Sequence, residues 1–167
     1  SFGHPTDREH IAPAFGAKSV AVCLGADDIY EPIAELVLSS IVANASPSRR
    51  YDIVVFSNGI AQHEQDAILR SVRGLSNGSV RFVESAAYLS GVLAERDHIN
   101  RSTYLRFIMP KAMRRFPKAV YLDCDLVVNR DIAELYDTDL GGCYLGAVRD
   151  TIDACWYKRR HDGTDVN

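Results

Sequence analysis

The chain has 167 residues, 47% of them apolar and 25% charged, with a formal net charge of −3. That composition is ordinary for a globular domain with a core of its own, and the mild acidity argues against a dedicated nucleic-acid binder. No apolar stretch approaches the ~20 residues needed to span a bilayer, and the cysteines at 23, 124, 143 and 155 lack the paired spacing of a zinc site.

Four free thiols in a reducing, cytoplasmic compartment are therefore expected. Residues 1–18 carry two prolines, several charges and no apolar h-region, which predicts a flexible lead-in rather than a secretory signal. The domain is expected over 19–167. Residues 19–24 (SVAVCL) read as a first strand, with Cys23 as a small buried hydrophobe. Gly25-Ala26-Asp27-Asp28 reads as its turn, Asp27 or Asp28 as a helix cap, and Pro32 fits the first turn of the following helix. Ile33, Leu36, Val37, Ser40, Ile41 and Asn44 then recur at helical spacing. Residues 51–57 (YDIVVFS) predict a second strand, 61–75 a second amphipathic helix, and 79–83 a third strand.

The longest predicted helix covers 101–116, with Leu105, Ile108, Met109, Ala112, Met113 and Phe116 on its apolar face. Pro110 lies inside it, where the ring removes one helical bond and predicts a kink. A strand at 119–122, a short helical turn at 131–136 and a strand at 144–148 complete the pattern. Strands alternating with helices specify an α/β fold, a mostly parallel sheet with helices on both faces. Two basic clusters, Arg114-Arg115 to Lys118 and Lys158-Arg159-Arg160-His161, read as solvated surface or as a surface for an anionic acceptor or peripheral membrane contact.

The chemistry concentrates at Ala119-Val120-Tyr121-Leu122-Asp123-Cys124-Asp125. A short continuous apolar run is the signature of a buried parallel strand. Carboxylates at i and i+2 share one face of a strand, so Asp123 and Asp125 should leave the carboxyl end of a central strand side by side. That edge is where open α/β sheets bind ligands. Two converging carboxylates repel each other unless a cation lies between them, and oxygen-only donors suit Mn²⁺ or Mg²⁺. Asp27-Asp28 puts a second acidic turn on the same edge, and Arg106 offers a fork suited to phosphate. A nucleotide with a metal on its diphosphate fits this set.

These residues resemble glycosyltransferase family 8, closest to the bacterial lipopolysaccharide galactosyl- and glucosyltransferases. Leu24-Gly25-Ala26-Asp27-Asp28-Ile29-Tyr30 looks like the family's opening nucleotide-binding segment. The stretch from His98 through Arg101 to Arg106 resembles its helix-starting segment, Asp123-Cys124-Asp125 its Asp-x-Asp signature, and 137–142 with 146–150 its next block. The resemblance runs from about Val20 to Asp150. It implies a nucleotide-diphosphosugar transferase (GT-A type) fold and retaining transfer of a hexose from a UDP-sugar to a glycan or lipid-linked acceptor such as lipopolysaccharide. It implies that Gly25, Ala26, Asp27 and Tyr30 meet the uracil end, with Tyr30 stacking. Arg106 would hold the diphosphate or sugar, the backbone at Cys124 the ribose, and Asp123 and Asp125 a Mn²⁺ or Mg²⁺ ion. His98 and Asp150 would lie near the acceptor or transferred sugar.

The family's later blocks do not appear in the sequence, so the resemblance places the catalytic residues beyond Asn167. It also predicts weak nucleotide binding by this chain and self-association through an uncovered sheet edge. Two other functions fit parts of the pattern. One is a non-catalytic sugar-nucleotide-binding module. The other is a haloacid-dehalogenase-type phosphatase, in which Asp123 would attack phosphorus.

Overall fold

The computed structural model describes residues 10–27, 31–85, 88 and 101–148. They run in chain order as β1 (Val20–Asp27), α1 (Glu31–Asn44), β2 (Tyr51–Asn58), α2 (Gln62–Ser71), β3 (Gly78–Glu84), α3 (Arg101–Ala112), β4 (Val120–Leu122) and α4 (Ile132–Tyr136), with a single 3₁₀ turn at Gly16–Lys18 before β1. The described residues belong to two units, one ending at Asp137 and one beginning at Thr138.

All the elements named above lie in the first unit. Its sheet has the order β3-β2-β1-β4, and every pairing is parallel. Alternate residues of the apolar strands go to opposite faces, and both faces are filled. Val20, Val22 and Leu24 of β1, with Tyr51, Ile53 and Val55 of β2, pack against Ala34, Val37, Leu38 and Ile41 of α1 and Ile68 of α2. Ala21 and Cys23, with Val54 and Phe56, pack against Leu105, Ile108, Met109 and Ala112 of α3. The α/β class, the helical pattern of α1 and the parallel sheet follow the sequence expectation.

Several details differ. β1 does not turn at Gly25. It stays paired with β2 through Asp27, where Gly25, Ala26 and Asp27 face Phe56, Ser57 and Asn58. The α3 helix ends at Ala112, two residues past Pro110, rather than at Phe116. Proline has no N–H for the Arg106 carbonyl, and the chain goes on in turns that still bury Met113 and Phe116. β4 is an outer strand of the described sheet, not a central one. Residues 144–148 of the second unit form no ladder among the described residues, because apolar alternation alone supplies no pairing partner. That unit contains a turn in which Gly141 and Gly142 take positive φ and Cys143 donates to the Leu140 carbonyl.

The segment before β1 is tied down where it is described. Ile11 donates to the Ala112 carbonyl and is buried in the α3-side core. Ala14 N–H donates to Asp52 Oδ2 at 2.6 Å, and Arg81 bridges Asp52 Oδ1 at 2.7 Å and the Ala12 carbonyl at 3.0 Å. Residues 10–18 therefore pack on the fold instead of forming a loose lead-in. Asp52 is fully buried in the middle of this arrangement, and a buried carboxylate is tolerated only when paired and hydrogen-bonded. On the other face the buried Tyr51 hydroxyl donates to Asp131, whose carboxylate also caps α4 through the Ala133 N–H. Burial first, and that bond second, push the Tyr51 phenol up to about 12.

Removing the Asp52 carboxylate should leave the Arg81 guanidinium and the Ala14 N–H without their acceptor. Asp52→Ala is expected to cost about 3 kcal/mol in urea unfolding at neutral pH; a loss below about 1 kcal/mol would show that the pair does not hold the leading segment in place.

Candidate functional site

The topology alone picks out one edge. β2 and β3 extend the sheet to one side of β1 and β4 to the other, so the strand order reverses between β1 and β4. Ligands of open α/β sheets bind outside the carboxyl ends of the strands at such a switch point. The last β1–β4 pair is Leu24 with Leu122. Beyond it, Gly25-Ala26-Asp27 continues on one side and Asp123-Cys124-Asp125 departs on the other.

The two carboxylates lie just past β4 rather than in it, with a bend at Cys124 and Asp125. They stand two residues apart in a short loop, outside the strand alternation. That loop is held at both ends. Leu122 anchors it to β1. At the far end the Val128 N–H donates to Ser40 Oγ at 2.9 Å, and Asn44 Nδ2 donates to the Val128 carbonyl at 2.9 Å. Ser40 and Asn44 sit on the apolar stripe of α1 in the sequence pattern, yet their polar groups fix the carboxylate loop. Their spacing of four on one helix face was the only signal of this in the sequence.

Arg106 and Asp123, 17 positions apart, are brought together. Arg106 Nη2 donates to Asp123 Oδ1 at 3.2 Å, with the two side chains 44% and 52% exposed. The guanidinium carbon also stands 5.6 Å from the centre of the Tyr121 ring, and the Tyr121 hydroxyl donates to the same Asp123 oxygen at 2.5 Å. Burial and then that bond hold the Tyr121 phenol well above the ordinary tyrosine range, so it remains a proton donor. Asp125 is exposed, and Cys124 is half-buried and in no disulfide.

Gly25 has a packing role at this edge. A Cβ placed there would lie 2.7 Å from Leu105 Cδ1 and 3.1 Å from Leu105 Cβ. Glycine is needed for the close approach of α3, and Leu105 immediately precedes Arg106. Ala26 is buried on the α1 side, so only its backbone can face a ligand. Asp27 ends β1, with its side chain outside the described part. Tyr30, His98 and Asp150 lie outside the described residues, as do Asp28 and the basic run at 158–161.

As a metal site, the donor set is hard and oxygen-only. Among the described residues no cluster of three or more His, Cys, Asp or Glu side chains is placed to hold an ion. Asp123 and Asp125 fit a Mg²⁺- or Mn²⁺-type ion that takes one or two carboxylates and completes its shell with phosphate and water.

The model of glycosyl transferase family 8 matches residues 21–165. The chain belongs to that family. Among curated family relatives, glycosyltransferase GlyF of Streptococcus pneumoniae is 28% identical over 130 residues, covering 78% of this chain and 31% of its own length. General stress protein A of Bacillus subtilis is 26% identical over 128 residues, 75% of this chain and 44% of its own. The chain thus spans less than half the length of these relatives. The bifunctional glycosyltransferase WbbM in its apo form matches with a TM-score of 0.77 and 32% identity, over 86% of this chain and 25% of that one. The galactosyltransferase LgtC, solved with donor and acceptor sugar analogs, matches with a TM-score of 0.66 and 26% identity, over 88% and 52%. The fold is of the GT-A glycosyltransferase type, as the family resemblance implied.

The Gly25 contact predicts the behaviour of this family 8 edge under substitution. Gly25→Ala should destabilise the protein by about 1–3 kcal/mol through overpacking, and Leu105→Ala in the same chain, which removes the Cδ1 contact and keeps the Cβ one, should reduce that increment. An equal loss from Gly25→Ala in both backgrounds would contradict the close-approach role.

Proposed function

We propose that this protein is a metal-dependent, retaining hexosyltransferase that moves galactose or glucose from a UDP-sugar to a cell-surface glycan such as lipopolysaccharide. The observation that carries the reading is the contact of Arg106 with Asp123 at the β1–β4 switch point, with Asp125 two residues on in the same loop. A cation held by the two carboxylates, beside a phosphate-binding fork, would suit a nucleotide diphosphate. Membership of family 8 and the likeness to a galactosyltransferase that binds donor and acceptor analogs support it.

In this reading Gly25, Ala26 and Asp27 belong to the uracil end, and the family resemblance assigns Tyr30 to stacking on the base. The backbone at Cys124 meets the ribose, and Asp123 and Asp125 hold Mn²⁺ or Mg²⁺. When bound, the metal supplies Lewis-acid stabilisation of the departing diphosphate. Arg106 has five N–H donors and gives one to Asp123; the others can reach phosphate or sugar oxygens. The family resemblance assigns His98 and Asp150 to the transferred sugar or its acceptor. In this reading the acceptor is a glycan precursor at the inner face of the membrane; among the described residues no helix is long and apolar enough to cross a membrane.

The phosphatase reading requires Asp123 as a nucleophile in a loop that opens its domain. Here it follows the fourth strand, with one carboxylate oxygen held by Tyr121 and Arg106. A non-catalytic sugar-nucleotide module shares the same site and differs only in turnover.

Calorimetric titration of UDP with and without Mn²⁺ tests the site. Wild-type protein should bind UDP more tightly with Mn²⁺ present, and the Asp123→Asn/Asp125→Asn double variant should lose that gain. Metal-independent binding, unchanged in the double variant, would refute the assignment.

A further inference from the structure

The environment of Asp123 is asymmetric in a way that the Asp-x-Asp pattern does not require. Two donors from different elements, the Tyr121 hydroxyl on β4 and Arg106 Nη2 on α3, converge on the same oxygen, Oδ1. The guanidinium lies beside the phenol ring as well, so the tyrosine is held from both ends. Tyr121 is register-paired with Cys23 of β1, which fixes its backbone at the position where the sheet order reverses. A carboxylate whose one oxygen accepts two hydrogen bonds is restrained about its Cβ–Cγ bond. It presents the remaining oxygen in one direction.

We infer that Tyr121 is a positioning residue for the metal site: its hydroxyl, with Arg106, holds Asp123 by Oδ1 and leaves Oδ2 as the oxygen that would be available to a cation. This rests on the metal–nucleotide reading of the site. Groups that orient a ligating side chain without touching the ion are typically worth 10- to 100-fold in metal affinity. The single-oxygen geometry also leaves room for phosphate oxygens and water in the shell of a hard cation.

The test is Mn²⁺ affinity in saturating UDP, read by the loss of the free-ion paramagnetic resonance signal, for wild type and Tyr121→Phe. The phenylalanine keeps the ring beside Arg106 and removes only the donor. The expected result is a 10- to 100-fold weaker Mn²⁺ affinity, with UDP affinity in chelator and the melting temperature in chelator both unchanged. Tyr121→Leu, which removes the ring too, should fall at least as far. Mn²⁺ affinity within twofold of wild type in Tyr121→Phe, beside a wild type that does bind the ion with UDP, would overturn the role of Tyr121 alone. A wild type with no Mn²⁺-dependent UDP binding would overturn this inference together with the site assignment beneath it.

Discussion

Everything at the site depends on β1 being paired on both sides. Its eight residues form parallel ladders with β2 along their whole length and with β4 over three of them. A strand buried on both faces and bonded on both edges has almost no freedom, because every shift in register would move apolar side chains out of one core and polar backbone out of its ladder. The difference in length between the two ladders leaves the end of β1 unpaired by β4. Where β4 stops at Leu122, β1 continues to Asp27, and the carboxylate loop leaves beside it.

That frame turns weak individual interactions into a defined geometry. The Arg106–Asp123 pair is half-exposed, and an isolated pair of this kind contributes little to stability. Its value is positional. Arg106 is placed by the contact of Leu105 with Gly25, and Asp123 by a loop fastened to β1 at Leu122 and to α1 at Val128. Helices on opposite faces of the sheet, α1 and α3, thus both position one acidic bend. The site inherits its rigidity from the two cores and from the Asp52–Arg81 pair that binds the leading segment to the sheet.

Much of this was legible in the sequence. Continuous apolar runs gave β1, β2 and β4, because strands covered on both faces carry no polar alternation, and the 3.6-residue stripes gave α1 and α2. The Asp123 and Asp125 pair and Arg106 were visible as chemistry, and four short segments in order pointed to family 8. What stayed hidden depends on tertiary contact. Gly25 reads as a turn residue but serves a helix-to-strand approach. Asp52 looks like an ordinary polar position in a strand until Arg81 and Ala14 meet it. Tyr121 reads as one more apolar residue, and Ser40 and Asn44 as part of a stripe. Each finds its partner 2 to 88 positions away, and only the two-residue separation of Tyr121 and Asp123 lies within the reach of local pattern.

The central claim is that the β1–β4 switch point holds a metal-bound nucleotide diphosphate. The most direct measurement is anomalous diffraction at the manganese edge from crystals grown with UDP and Mn²⁺. The account predicts one strong peak in coordination contact with the Asp123 and Asp125 carboxylates, with diphosphate density on its other side toward Arg106. A manganese peak elsewhere, or ordered UDP at this edge with no metal between it and the two aspartates, would contradict it.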